Sequence, residues 1–109
     1  MPYIKQDDRK HFEALLLEFD KIDKIITTGD MNYLITRLLD KYLIKYTDEN
    51  YDAFNGVIGV LECSKQEVYR RILVPYEDLK IKVNGDVYNS PLKCEKVIDN
   101  KRGILDWNE

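Results

Sequence analysis

Residues 30–46, DMNYLITRLLDKYLIKY, carry the clearest helical pattern of the chain. Apolar side chains recur in this stretch every three or four residues for three turns, which is typical of a helix with one apolar face. That face comprises Met31, Leu34, Ile35, Leu38, Leu39, Tyr42 and Leu43. Asp30 is expected to cap the N-terminus of this helix, and the polar residues 47–50 are expected to end it.

The preceding sequence predicts a first helix within residues 7–26. Its apolar positions form one stripe at helical spacing, made of Phe12, Leu15, Leu16, Phe19, Ile22 and Ile26. Asp7 and Asp8 suit the N-terminus of a helix, where its dipole favours negative charge. The helix is expected to end either near Phe19 or at Ile26, before a break at residues 27–29.

Residues 50–74 predict a third and longest helix, with an apolar face formed by Tyr51, Phe54, Val57, Ile58, Leu61, Val68, Tyr69 and Ile72. Pro75 is expected to stop it, because proline disfavours helical backbone at the residue before it. Gly56 and Gly59 leave two interpretations open. They are either tolerated imperfections or positions where another helix approaches closely.

The sequence changes character after Pro75. Residues 76–82 predict a short helical segment, and Asn84–Gly85 predicts a hairpin turn or a tight reversal. The apolar residues of the tail, Val97, Ile98, Ile104, Leu105 and Trp107, are expected to dock on the body or on a partner. The prediction is one mainly α domain over residues 1–109, with a three-helix core at about 7–82. A short β-hairpin or turn appendage and a docking C-terminal tail would occupy about 83–109.

Composition excludes several classes of function. The chain has 109 residues and a net charge of −3, with 34% charged residues of both signs, so bulk nucleic-acid binding is not expected. It contains no apolar run long enough to span a membrane, and its first nine residues do not form a signal peptide. Cys63 and Cys94 form no zinc-binding pair. These features predict a soluble cytoplasmic protein, small enough to benefit from oligomerisation.

Catalytic patterns are missing from the sequence. The single histidine, His11, has no neighbouring nucleophile or second ligand, and the glycines match no phosphate-binding loop. Glu62 and Glu67 are five residues apart, which is poor spacing for a shared magnesium ion on one helix. No cofactor, metal site or catalytic residue is therefore predicted, and a binding role is favoured over an enzymatic one.

Two pairs of polar residues are candidate ligand-binding groups. Lys65 falls within the apolar face of the third helix, three residues after Glu62. The two form either an ion pair at the edge of the core or part of a polar pocket. Asn32 and Thr36 lie one turn apart beside the apolar stripe of the second helix, where they could face Glu62 and Lys65. Asn32 is equally suited to bonding the backbone in the first turn.

A third candidate group combines cations with aromatic rings. Tyr69, Arg70 and Arg71 are followed by Tyr76, and arginine can bind phosphate through two bonds while tyrosine offers a stacking face. The simpler interpretation is the solvated end of a helix, where the dipole favours cations. If these residues form a site, its ligand is anionic and partly planar, as a nucleotide is.

Several motifs together indicate a family. The opening MPYIKQ (residues 1–6), GDMNYLIT (29–36), YRR (69–71) and PYED (75–78) with NGDVY (84–88) resemble a family of short uncharacterised proteins encoded by bacteriophages and bacterial genomes. The resemblance covers roughly residues 1–88 and implies no particular activity. By analogy with small phage proteins, it favours action by binding.

Three functions are compatible with these observations. The first is an oligomeric, non-catalytic binder of a small anionic nucleotide, which in a phage would sequester a cyclic-nucleotide immune signal in the host cytoplasm. The second is a protein-interaction module that inhibits or scaffolds a host protein. The third is a magnesium-dependent nucleotide hydrolase that uses Glu62.

Overall fold

The structure, a computed structural model, describes residues 1–90. Within them it contains the α-helices α1 (Gln6–Arg9), α2 (Glu13–Asp20), α3 (Thr28–Tyr46), α4 (Tyr51–Val68) and α5 (Val74–Asn84). A 3₁₀ turn (Lys10–Phe12) lies between α1 and α2, and a π-helical turn (Tyr69–Leu73) lies between α4 and α5. The prediction of a mainly helical chain is therefore confirmed. The predicted docking tail and Cys94 lie outside the described residues.

The described residues fall into two units, which divide between Val68 and Tyr69. The first unit contains α1 to α4, and the second contains the π-helical turn and α5. The prediction of a single domain over the whole chain stays a prediction.

The N-terminal helical segment is shorter than its apolar stripe. Asp7 and Asp8 lie in the first turn of α1, as expected from the helix dipole. Of the two predicted ends, the structure has the earlier one, since α2 ends at Asp20. The backbone N–H of Ile22 donates to the carbonyl of Phe19 at 3.2 Å, which closes this end with a turn.

Helix α3 begins at Thr28, two residues before Asp30, so the predicted capping role of Asp30 is corrected. Thr27 is the N-cap, and its hydroxyl accepts the backbone N–H of Asp30 at 3.1 Å. The Asp30 carboxylate accepts the backbone N–H of Thr27 at 2.9 Å, which completes a reciprocal capping box. The predicted break is also wrong at Thr28 and Gly29, because the capping box draws both into the first turn.

Helices α3 and α4 contact each other and are joined by a short polar loop. The loop is tied to both helices by side chains. The Thr47 hydroxyl donates to the Leu43 carbonyl at 2.6 Å, and the Asn50 side chain accepts the backbone N–H of Ala53 at 3.0 Å. Val57, one turn after Ala53, is the one buried apolar residue in the part of the chain that the structure describes.

The glycines of α4 do not mark a close approach within the described chain. A Cβ atom added at Gly56 or at Gly59 would meet no atom within 4 Å. Residues 1–90 thus provide no closely packed helix at these glycines, and the interpretations of tolerated imperfections and of close approach by a helix of another copy both remain.

The prediction that helix stops before Pro75 is wrong. Val74 begins α5, and Pro75 lies in its first turn, where a missing N–H is tolerated. In a continuous α-helix the proline ring would clash with the carbonyl of Arg71, four residues earlier. The π-helical turn at Tyr69–Leu73 widens the backbone there, which explains how helix resumes at Val74.

The predicted β-hairpin at Asn84–Gly85 is not present, and residues 1–90 contain no strand. Gly85 instead caps the C-terminus of α5. Its φ of 90° is a conformation that glycine adopts easily, and its N–H donates to the Ile81 carbonyl at 2.9 Å. The freedom of glycine to adopt a positive φ suits a hairpin turn, but at Gly85 it allows α5 to end.

The apolar stripes largely remain at the surface. Apart from Val57, every residue among the first 90 is exposed or half-buried. The predicted three-helix core is therefore not buried in the described residues. None of the helices in residues 1–90 has the length and apolar character needed to cross a membrane.

Candidate functional site: an apolar groove in the first unit

A strongly apolar groove lies between α2 and α3 in the first unit. Its volume is about 330 Å³. The lining residues are Leu15, Leu16, Glu18, Phe19, Ile22, Met31, Leu34, Ile35 and Leu38. We call this surface the α2–α3 groove. Glu18 is its single charged lining residue, so the groove is suited to apolar ligands or apolar protein surfaces.

Helical periodicity produces both walls of the groove. On α2, Leu15 and Leu16 lie one turn before Phe19, and Ile22 follows just after the helix ends. On α3, Met31, Ile35 and Leu38 follow one another at spacings of four and three residues. Each wall is thus one side of an amphipathic stripe, since residues three or four apart share a helix face.

The loop between α2 and α3 is held to the start of α3 by charge and hydrogen bonds. The Lys24 ammonium lies 2.9 Å from the Asp30 carboxylate, which also belongs to the capping box. The hydrogen bond from the Thr27 backbone N–H is the main reason that the pKa of Asp30 is lowered, and Lys24 lowers this pKa further. Asp30 therefore stays ionised at neutral pH and keeps the start of α3 fixed beside the loop.

The lining side chains are unusually accessible for apolar residues on helix faces. Seven of them, Leu15, Leu16, Phe19, Ile22, Met31, Ile35 and Leu38, are between 38 and 62% exposed. Contiguous apolar surface on a soluble chain marks an interaction site more often than an isolated exposed leucine does. The groove is consequently a candidate binding surface for protein.

The predicted polar pair on α3 is satisfied locally. The Thr36 hydroxyl donates to the Asn32 side-chain oxygen at 3.2 Å, and both residues are exposed. The alternative in which Asn32 bonds the backbone is not the geometry observed. Whether the pair binds a ligand stays a prediction.

The predicted pair on α4 forms an exposed ion pair. The Lys65 ammonium lies 3.2 Å from a Glu62 carboxylate oxygen, and the Gln66 amide donates to the same carboxylate at 3.3 Å. The Lys65 bond is the main cause that lowers the pKa of Glu62. This is the ion-pair interpretation, at a position more open to solvent than the edge of a core.

The other four predicted site residues belong to the second unit. Tyr69, Arg70 and Arg71 lie on the π-helical turn, and Tyr76 lies in the first turn of α5. All four are exposed, and the Lys80 ammonium lies 5.6 Å from the centre of the Tyr76 ring. The second unit thus carries cations and rings on neighbouring turns. Their role as a nucleotide site stays a prediction.

Within residues 1–90, no three side chains of the types His, Cys, Asp and Glu come close enough together to hold a metal ion. Glu62, which the hydrolase hypothesis requires, is instead engaged with Lys65 and Gln66. The described structure offers that hypothesis no support.

The sequence revealed the residues of the groove but not their role. Their spacing marked them as the inner faces of two helices, and helix periodicity is the same whether a face is covered by its own chain or by another. The one available signal was chain length, because a domain this short buries a modest share of its surface.

Comparison with known proteins adds a family. The family model described as "Domain of unknown function (DUF6899)" matches residues 1–87. No curated protein and no solved structure matches the chain significantly.

Proposed function

Because the chain belongs to this family, whose description gives no activity, we propose from its geometry that it is a non-catalytic protein-interaction module. The observation that supports the proposal is the α2–α3 groove, an exposed surface lined almost entirely by apolar side chains. Such a groove can receive the apolar face of a helix from another protein chain.

The energetic argument rests on the exposed part of each lining side chain. Fully burying one leucine, isoleucine or phenylalanine side chain stabilises by about 1.5–3 kcal/mol. Covering the exposed half of one lining residue is therefore worth about 1 kcal/mol. The seven exposed lining residues together can offset a substantial part of the entropic cost of association, which is about 4–15 kcal/mol.

Two adjacent leucines provide a matched experiment. Leu16 lines the groove and is 62% exposed, whereas Leu17 does not line it and is 58% exposed. A photo-crosslinking phenylalanine derivative would be placed at either position in the full chain inside the cells that express it. Covalent protein adducts would then be identified by mass spectrometry.

We expect protein adducts from position 16 and far fewer from position 17. Position 17 nearly matches position 16 in exposure and in place on the helix. A difference in the yield of protein adducts therefore reflects contact at the groove. If position 16 gives no more protein adducts than position 17 does, the proposed function is wrong.

A second candidate, binding of a small anionic nucleotide, is favoured by the grouping of Lys80 with Tyr76 in the second unit. A ring with an ammonium beside it can stack on a base and attract its phosphate. Arg70 and Arg71 would supply further bonds to phosphate. In a bacteriophage protein, such binding would sequester the cyclic-nucleotide signal of a host defence system.

The second candidate is tested by thermal stability in the presence of cyclic dinucleotides and cyclic ADP-ribose isomers. A ligand that binds only the folded chain stabilises it by about 2.7 kcal/mol at a hundredfold excess over its Kd. We expect Arg70→Ala with Arg71→Ala to abolish the shift, and Arg37→Ala with Lys41→Ala on α3 to preserve it. A flat response to the whole panel would remove this candidate.

A further inference from the structure

We propose that the occupant of the α2–α3 groove is the same groove-lining face of a second copy of the chain. The inference rests on the proposed function and names its partner. Two copies related by a two-fold axis would place their α2 and α3 helices face to face, so that four helices share one apolar core.

The small core formed by residues 1–90 is the first argument for self-association. Among residues 1–90, Val57 alone among the apolar side chains is buried. Burial of apolar surface is the main favourable contribution to folding, so a surface that completes the core has to be covered whenever the chain is folded. A second copy of the chain is present wherever the chain is made, so it is always available as a partner.

The number of exposed side chains is the second argument. Seven large apolar side chains that line the groove are between 38 and 62% exposed. In a two-fold interface the groove of each copy faces that of the other. The same contact therefore covers all seven side chains in both copies.

The charge distribution is the third argument. Glu18, the single charged lining residue, lies 2.9 Å from the Lys21 ammonium of its own chain. Two grooves can therefore face each other without a strong repulsion between like charges. Another face of α3 presents Arg37, Lys41 and Lys45 along a surface with Asp40 and Ile44, and two copies of that face would repel each other. Self-association is thus directed to the groove.

The test uses the purified full chain. Sedimentation velocity over a hundredfold range of concentration would measure its mass, and circular dichroism would check helix content. Leu16→Glu places a charge in the groove, and Leu17→Glu is the matched control on the same helix. We expect the wild type and Leu17→Glu to sediment as dimers, and Leu16→Glu to show at least a tenfold weaker association.

A second measurement needs no variant, which matters if Leu16→Glu fails to fold. In a mixture of isotope-labelled and unlabelled chains, isotope-filtered NMR detects methyl contacts between copies. We expect contacts that involve Leu15, Ile35 and Leu38. A dimer whose contacts come only from other faces would overturn the inference.

A chain that stays monomeric over the whole range would also overturn it. The crosslinking experiment then separates the two claims. Adducts of position 16 with a different protein would leave the proposed function standing, whereas the absence of any adduct would end both.

Discussion

The hydroxyl of Tyr3 donates a hydrogen bond to the carboxylate of Glu67 over 2.6 Å, although 64 residues separate them in the sequence. Tyr3 precedes α1, and Glu67 lies one residue before the end of α4. The bond therefore fastens the N-terminal segment, which leads into the first wall of the groove, to the last turn of α4. Glu67 is half-buried there.

Tyr3→Phe removes this bond and keeps the ring. We expect the free energy of unfolding to fall by about 1 kcal/mol, together with faster hydrogen exchange at Ile4, whose N–H donates to the Pro2 carbonyl. Tyr33→Phe is the control, since Tyr33 is 65% exposed on α3. Unchanged exchange at Ile4 in Tyr3→Phe would mean that the bond does not hold the N-terminal segment.

Thr27→Ala removes the N-cap of α3. We expect a loss of about 1 kcal/mol in the free energy of unfolding, because the backbone N–H of Asp30 loses its acceptor. Thr28→Ala, one residue later and inside the helix, serves as the control and should change stability much less. Chemical denaturation of the three chains measures the difference, and equal losses in both variants would contradict the capping role of Thr27.

The capping box should also make stability depend on pH. The pKa of Asp30 is lowered chiefly by its bond to the Thr27 backbone and then by Lys24. A carboxylate with a lowered pKa stabilises the folded chain above the pKa of the unfolded carboxyl, and this stability is lost as the pH falls through the folded pKa. The stability difference between the wild type and Asp30→Asn should therefore shrink on acidification.

Denaturation of the wild type and Asp30→Asn at a series of pH values measures that difference. Asp23→Asn in the same loop is the control, because no hydrogen bond to its carboxylate is present in the described part of the chain. A difference that stays constant or grows with acid would show that Asp30 does not act through its charge.

Pro75→Ala tests the origin of the π-helical turn. Alanine restores a backbone N–H and removes the ring that would clash with the carbonyl of Arg71. We expect the turn at Tyr69–Leu73 to relax to α-helix, with slower hydrogen exchange in residues 70–76 measured by NMR. If the π-helical turn persists in Pro75→Ala, Pro75 is not its cause.

The sequence predicted the helices because their apolar spacing is a local property. The periodicity of residues 30–46 is present whatever surrounds it, and α3 matches it closely. Errors arose where two local signals compete. Asp30 can serve as N-cap or as the third residue of a capping box, and Gly85 can complete a hairpin or end a helix.

The exposure of the groove residues could not be predicted from local sequence patterns. Met31, Ile35 and Leu38 were predicted to be core residues, and their spacing could not show that they are exposed in the described part of the chain. Glu62 and Lys65 illustrate the reverse case. An ion pair was one of the two interpretations of their spacing, and the structure has that pair, because it needs only one helix.

Met31 offers the most direct test of the claim that protein covers the α2–α3 groove. Its side chain is 38% exposed in one copy, whereas Tyr33 and Tyr46 on the same helix are 65 and 67% exposed outside the groove. Hydroxyl-radical footprinting in expressing cells would compare oxidation of Met31 between the wild type and Leu16→Glu, with the two tyrosines as references. Protection of Met31 in the wild type, lost in Leu16→Glu while both tyrosines react equally, is the predicted result. Equal oxidation of Met31 in the two chains would contradict the account.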